Sequence, residues 1–313
     1  MTDGARISSS ASVTSDEEAA VLALVRAAAD HDGYSGLNEA AVLHLRHPRS
    51  GVLHFLAWRE GALLGYAQLD SETEPDTGQP VSTAQLVVAP EHRGQQQGTA
   101  LLKELVARTP ARLRIWAQGN SAAAQALARS QGLVPARELM IMTRSLTGEL
   151  PQASVPQGVR LRTFRVGQDE DAWLAVNARA FRHHPEQGQL TRADLAERMA
   201  EPWFDAEGFF VAVRDDPGAA DVDDDPGGPA LIGFHWTKEH PDRVGEVYVL
   251  GVDPSAGGGG LGKALLARGL QHLRDRGLGL VQLYVEADHE RAVGLYRGYG
   301  FTESSRDVMY AQP

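Results

Sequence analysis

Four consecutive glycines, Gly257 to Gly260, lie in GVDPSAGGGGLGKALL (251–266), after an apolar strand-like run (GEVYVLGV, 245–252) and before a helix-like one (LGKALLARGLQHL, 261–273). A glycine-rich turn from strand into helix leaves backbone N–H groups pointing outward beside the positive end of the helix dipole, which suits a phosphate-bearing ligand. Taken alone, GGGGLG satisfies the G-x-G-x-x-G of dinucleotide sites, and with Lys263 it satisfies most of a Walker A loop. The first should open a long series of strand–helix units, yet only about fifty residues follow Gly262. The second needs a Ser or Thr to hold magnesium, and Ala264 stands there.

Composition narrows the chemistry. With 41 acidic against 30 basic residues and a formal charge of −11, the 313-residue chain lacks the clustered cations that nucleic acid requires. There is no cysteine, which excludes disulfides, cysteine-held zinc, iron–sulfur clusters and a thiol nucleophile. The eleven histidines, among them His183, His184, His235 and His240, match no strong metal template and read as ordinary surface or core residues; no metal is expected. No apolar run approaches the roughly 18–20 residues of a membrane span, and MTDGARISSSASVTSDEE has no signal-peptide core. A cytoplasmic protein without membrane partners is expected, with a monomer as the working expectation.

An internal repeat governs the organisation. VVAPEHRGQQQGTALL (87–102) lies under GVDPSAGGGGLGKALL (251–266), matching Val88, Pro90, Gly94, Gly98, Ala100, Leu101 and Leu102 to Val252, Pro254, Gly258, Gly262, Ala264, Leu265 and Leu266. LLGY (63–66) lies under LIGF (231–234), and ALARSQGL (126–133) under GLYRGYGF (294–301). Two copies of one domain follow: a disordered tail over 1–12, a first domain over 13–145, a proline-punctuated linker over 146–158 and a second domain over 159–313.

The first copy opens with the capping box Thr14-x-x-Glu17 and a helix. Strands are expected near 52–58, 62–69 and 81–88, then a helix at 96–108, a strand at 112–117, a helix at 121–131 and a strand at 137–144. The second copy has helices near 168–181 and 191–200 and strands at 208–214, 230–237 and 244–252. It closes with a helix at 261–276, a strand at 279–286, a helix at 289–298 and a strand at 301–310. The acidic DDPGAADVDDDPGG (215–228) reads as a solvated loop. The fold class is α/β, two tandem domains each with a mixed central sheet flanked by helices.

HRGQQQGTA in the first copy satisfies neither nucleotide pattern; the copies share strand–V-x-P-x₃-G-x₃-G-x-A-L-L–helix. That shared element resembles the acetyl-CoA pyrophosphate loop, Q/R-x-x-G-x-G/A, of the GCN5-related N-acetyltransferase family. The resemblance implies a coenzyme site along Leu250, Gly251 and Val252, through Gly257, Gly258, Gly259, Gly260, Leu261, Gly262 and Lys263, and on to His289, Glu290, Arg291, Ala292, Val293 and Gly294. Gly257 replaces the expected Gln or Arg, and His289 stands where the family often has Asn. In the first copy the resemblance implies a second acetyl-CoA contact through Leu86, Val87, Val88, Arg93, Gly94, Gln95, Gln96, Gln97 and Gly98, with Gln96 replacing a glycine.

Acyl transfer to an amine requires the amine to lose a proton, the oxyanion to meet a donor and the departing thiolate to be stabilised. By the resemblance, Glu246 acts as base through water and Tyr296 as acid, with a backbone N–H near Leu250, at a bulge beside Gly251, facing the thioester carbonyl. The matching first-copy positions are Ser82 and Ala128, which do no acid–base work, so the second copy is the catalytic one.

HPEQG (184–188), GFHWTKEHPD (233–242), GEVYVLGVDP (245–254) and LYVEADHERAVGLYRGYGF (283–301) resemble a tandem branch of that family whose acceptor is the cysteinyl amine of a cysteine–glucosamine–inositol conjugate, a thiol-bearing pseudo-disaccharide. The resemblance implies acceptor contacts from Glu186, Lys238, Glu246 and Tyr284, and from Glu39 in the first copy. Acetylation of another amine, and acyl-CoA binding without turnover, are the competing expectations.

Overall fold

The computed structural model describes residues 5–73, 78–109, 112–214 and 230–313; the acidic segment 215–228 lies outside them. The chain divides into two compact units, one running to Leu139 and including Ser305–Pro313, the other spanning Met140–Ser304.

The first unit contains β1 (Arg6–Ser10), α1 (Ser15–Asp32), α2 (Glu39–Arg46), β2 (Val52–Arg59), β3 (Ala62–Thr73), β4 (Pro80–Val88), α3 (Gln97–Arg108), β5 (Arg112–Ala117), α4 (Ala122–Ser130) and the start of β6 (Val134–Ser145). β1 to β4 form an antiparallel run, and β5 joins β4 in parallel through α3. Period-two alternation in β2 sends Phe55 and Ala57 to one face, with Leu101 and Leu105 of α3, and Leu56 to the other, with Val21, Leu24 and Ala28 of α1. The capping box forms as read: the Thr14 N–H donates to Glu17 Oε2 (2.8 Å) and the Glu17 N–H to Thr14 Oγ1 (3.3 Å).

The second unit holds the rest of β6, then β7 (Val159–Thr163), α5 (Glu170–Ala180), α6 (Pro185–Gly188), α7 (Arg192–Met199), β8 (Phe209–Arg214), β9 (Leu231–Glu239), β10 (Val244–Val252), α8 (Leu261–Asp275), β11 (Leu280–Glu286), α9 (Glu290–Gly298) and the start of β12 (Thr302–Ala311). It repeats the scheme: β7 to β10 are antiparallel and β11 follows β10 in parallel through α8. Leu266, Leu270 and Leu273 of α8 are buried with Val281 and Leu283 of β11. Each such side chain contributes roughly 1.5–3 kcal/mol by leaving water. Trp173, Phe209, Phe234 and Trp236 fill the opposite face.

Three expectations are corrected. Residues 6–10 are not a disordered tail but a strand, because β1 completes the ladder along β2 from Arg6↔Trp58 to Ser10↔His54. Residues 146–158 are not a free linker throughout: Leu146 and Leu150 are buried in the second unit's core, and the Leu146 N–H donates to the Gly279 carbonyl (2.9 Å). The end of β12 belongs to the first unit, since Val308 to Ala311 pair antiparallel with Ala117 to Arg114 of β5.

Candidate active site

Three adjacent strands of the second unit bring Lys238, Glu246 and Gln282 into one row, with Glu246 opposite Lys238 on β9 and opposite Gln282 on β11. Residues in register across a sheet point to the same face, so the backbone pairing alone sets a cation, a carboxylate and an amide side by side. The matching row of the first unit is Ser71, Ser82 and Leu113, and its Ser71 and Ser82 hydroxyls lie 3.0 Å apart.

The Glu246 side chain is only 8% exposed. Burial alone pushes its carboxyl pKa up, but the His240 hydrogen bond and charge, the Lys238 charge and the Gln282 hydrogen bond together hold it below the usual carboxylate range. His240, in the turn between β9 and β10, places Nε2 2.5 Å from Glu246 Oε2, and the Gln282 amide donates to the same oxygen (3.3 Å). An ionised carboxylate only accepts, so His240 Nε2 carries the proton of that bond. His240, which the sequence reads as an ordinary surface or core histidine, is instead bonded to the site carboxylate, and Gln282 was not singled out. Gln282 precedes Tyr284 by two residues on β11, and that period was the available signal for it.

Lys238 Nζ lies 4.3 Å from the centroid of the Trp203 ring and 5.1 Å from that of Tyr248, an arrangement that attracts a cation to the ring faces. Arg198 Nε donates to the Tyr248 hydroxyl (3.1 Å). Trp203 and Tyr248 were likewise missed: Trp203 reaches Lys238 from the α7–β8 connection and Tyr248 from the bulge of the neighbouring strand β10.

β10 carries a bulge at Tyr248: Val247 faces Thr237 and Val249 faces Trp236. The expected bulge beside Leu250 and Gly251 is therefore corrected, since pairing is regular from Val249 to Val252. The first unit's β3–β4 ladder runs from Gly65↔Val88 to Thr73↔Pro80 without a shift. β10 pairs with β11 only over Val244–Val247, while its pairing with β9 continues to Val252.

Tyr296, on α9, is 7% exposed and packs edge-on against Phe301, with ring centroids 5.8 Å apart. Burial pushes its phenol pKa above the ordinary tyrosine value, so it stays protonated. Its first-unit counterpart, Ala128, is part of the core there.

The glycine loop has the geometry its composition implies. Gly258 (φ +97°) and Gly260 (φ +85°) take left-handed conformations, and Gly260 begins α8 with no side-chain hydrogen bond capping the first turn. The first turn's N–H groups therefore have no side-chain cap, as an anion site requires. A β-carbon on Gly257 would lie 3.8 Å from a guanidinium nitrogen of Arg291, at the start of α9. The positive charge missing from position 257 is thus brought in from a different element. His289 caps α9 without a side-chain hydrogen bond, its ring centroid 6.1 Å from that of His184.

The first unit reproduces this backbone with other residues. Gly94 (φ +72°) matches Gly258, and Gln96 (φ +66°) adopts the left-handed conformation of Gly260 and begins α3, again without a side-chain cap. Arg93 does not point its charge freely at that turn. Its guanidinium makes two 2.7 Å hydrogen bonds to Asp32 at the end of α1, and its Nε donates to the Val88 carbonyl (3.1 Å). The pairing lowers the Asp32 pKa, with the Arg93 hydrogen bond the largest cause.

Of the remaining expected contacts, Tyr284 is on β11 with its side chain exposed, and Glu186 lies in α6. α6 is held to α5 by Asn177, whose amide donates to the Gln187 carbonyl (2.6 Å). Glu39 is the first residue of α2, in the first unit. Among the described residues there is no cluster of metal-ligating side chains and no helix long and apolar enough to cross a membrane.

Comparison with known proteins matches residues 22–133 and 174–301 to the acetyltransferase (GNAT) family model, once in each copy of the repeat. A mycothiol acetyltransferase of Streptomyces coelicolor is 50% identical over 304 residues, covering 96% of this chain and 93% of the relative. One from Thermomonospora curvata is 48% identical over 302 residues, covering 96% and 95%. Among solved structures, a tandem GNAT protein from the clavulanic acid biosynthesis pathway superposes with a TM-score of 0.72 at 18% identity, covering 98% of both chains. A GCN5-related N-acetyltransferase from Sphaerobacter thermophilus gives 0.65 at 22% identity, covering 97% and 95%.

Proposed function

This chain belongs to the acetyltransferase (GNAT) family, and from that premise we propose that it moves the acetyl group of acetyl-CoA to the cysteinyl amine of a cysteine–glucosamine–inositol conjugate, forming mycothiol. The observation that carries the choice of acceptor is the 50% identity to a mycothiol acetyltransferase over 96% of the chain. The site supplies the chemistry: an enclosed, ionised carboxylate beside a cation, where the matching row of the first unit has Ser82 and Ser71.

The glycine loop fits coenzyme A. Two left-handed glycines, an uncapped helix start and the Arg291 guanidinium present donors and charge for a pyrophosphate. When bound, acetyl-CoA supplies a thioester whose thiol, with a pKa near 8.5, is a fair leaving group. Glu246 draws the acceptor ammonium and drives its deprotonation, while Lys238 and Tyr284 meet the sugar hydroxyls. Lys238, held over Trp203 and Tyr248, enters that contact already oriented. The Tyr248 bulge, the one shift in the β9–β10 register, supports a backbone N–H there as the oxyanion donor.

Tyr296 acts as a hydrogen-bond donor to the departing sulfur rather than by full proton transfer. An ordinary phenol already lies about 1.5 pKa units above the thiol, which makes complete transfer cost about 2 kcal/mol, and burial raises the phenol further. The first unit, with Ser82 and Ala128 at the matching positions, is catalytically silent. A cytoplasmic place of action follows from the coenzyme.

The test is coenzyme A release, followed chromatographically because the acceptor itself carries a thiol. Purified protein and acetyl-CoA are supplied with the conjugate or with the same conjugate lacking cysteine. Release with the cysteinyl acceptor alone is expected; release with neither, or equally with both, overturns the acceptor assignment.

A further inference from the structure

We propose that His240 is the proton relay of the second unit, taking the acceptor ammonium's proton at Nδ1 while Glu246 holds the ring through Nε2. Glu246 is nearly enclosed, with 8% of its side chain exposed, whereas the His240 side chain is 25% exposed. The carboxylate is therefore poorly placed to exchange protons with solvent, and the imidazole bonded to it is the more accessible group. Glu246 Oε2 accepts from both His240 and Gln282, which occupies that oxygen and fixes the ring's tautomer with Nε2 protonated. Nδ1 is then a lone-pair base, and it has no hydrogen-bond partner among the described residues. A buried carboxylate orienting an imidazole whose other nitrogen faces the reaction is a recurrent acid–base arrangement.

The hairpin is built to hold the ring. The His240 N–H donates to the Val244 carbonyl (2.9 Å) and the Arg243 N–H to the His240 carbonyl (3.0 Å), closing the turn. Arg243 takes a positive φ of 65° within it. The charged groups around the imidazole are Glu246 on β10, Lys238 and Glu239 on β9, and Asp242 and Arg243 in the turn; Arg243, and Arg276 just past the end of α8, both pair with Glu239. Gln282 is the uncharged contributor from β11.

The proton balance closes. The ammonium gives one proton to Nδ1, Glu246 stabilises the imidazolium, and the proton passes to solvent from the exposed ring. The neutral amine attacks the thioester carbonyl, forming the C–N bond as C–S breaks. The nitrogen then loses its second proton, the sulfur leaves as a thiolate hydrogen-bonded by Tyr296 and takes a proton from solvent after it departs, and one proton is released overall.

The inference rests on the acetyl-transfer reading, whose own failure would show as an inactive wild-type protein. The experiment compares His240→Gln and His240→Ala with wild type across pH 6–9.5, checking melting temperature and acetyl-CoA affinity in parallel. Glutamine keeps a donor toward Glu246 but takes no proton. Its kcat is expected to fall about 100-fold or more at pH 7, with acetyl-CoA affinity and melting temperature near wild type. The deficit should shrink above about pH 9, where an amine of pKa near 8 is already neutral. Added imidazole should restore His240→Ala about tenfold or more. A glutamine variant as active as wild type at every pH overturns the relay, as does an alanine variant that folds, binds coenzyme and is not rescued. Glu246 would then act directly through water.

Discussion

Gln96 and Gly260 occupy the same backbone conformation in the two copies, at φ +66° and φ +85°, each beginning the helix that follows the turn. The repeat therefore extends beyond residue identity to the left-handed geometry itself, which one copy attains with glycine and the other with a residue that pays a steric cost. Gly260→Ala should lower stability by about 1–2 kcal/mol. Gln96→Gly should gain at most about 1 kcal/mol, because the freer unfolded chain offsets part of the relief. Thermal melts of the two variants check the opposite signs.

Glu246→Gln should lower kcat by about 10²–10⁴ at pH 7, with little change in acetyl-CoA affinity. Because the carboxyl pKa lies below the usual range, its contribution to stability is present above the unfolded carboxylate pKa and is lost as pH falls through the lower folded value. Glu246 itself should then add no limb to the kcat/KM profile between pH 5 and 8. Steady-state profiles of both proteins decide this.

Tyr296→Phe removes one donor to the departing sulfur and should cost about 10²–10³ in kcat, the scale of losing one oriented donor. The ring's contact with Phe301 is kept, so the melting temperature should hold. A drop in melting temperature without a drop in kcat would assign the tyrosine to packing alone.

Arg291→Ala should raise the KM for acetyl-CoA about 10–150-fold, the worth of one charge-assisted hydrogen bond to phosphate, and leave kcat within a few-fold. Placing the charge back on the loop with Gly257→Arg should recover part of the loss, since the two positions adjoin. Isothermal titration with coenzyme A measures both.

Asp307, on β12 in the first unit, is 6% exposed and accepts from the Gly119 N–H at 2.7 Å. Burial pushes its carboxyl pKa up to about 6, with the Gly119 hydrogen bond opposing. The raised value favours the protonated folded state: that stability is present below the unfolded pKa of about 4 and is lost as pH rises through about 6. Asp307→Asn keeps the acceptor and removes the charge. Its stability advantage over wild type should grow between pH 4.5 and 7.5 by about 2 kcal/mol.

Most of the strand and helix order was legible because it rests on local periodicity: β10 at 244–252 and α8 from 261 follow from alternation and from leucines at helical spacing. β1, α2 and β7 were not, since RISSS and VRLRT are short and gain their strand character only from a neighbouring ladder, and EAAVLHLR is a brief helix. The end of β12 was read as a strand but could not be assigned to the first unit, because a ladder partner nearly two hundred residues away leaves no local mark.

Within the site, the sequence by itself determined which residue types were present and that only one copy carried them: Glu246 against Ser82, Tyr296 against Ala128, a run of four glycines against HRGQQQG. It determined the second copy's turn backbone as well, because glycine takes positive φ freely, whereas Gln96 reaches it only in the folded first copy. Only the tertiary structure decided what those groups meet. His240 reaches Glu246 through a hairpin, Gln282 through strand register, Trp203 reaches Lys238 across the sheet face, and Arg291 comes to Gly257 from another helix. Arg93, expected at the first copy's turn, is instead held by Asp32. Hydrogen bonds and ion pairs depend on distances in space, and chain spacing carries those distances only within a turn or a strand.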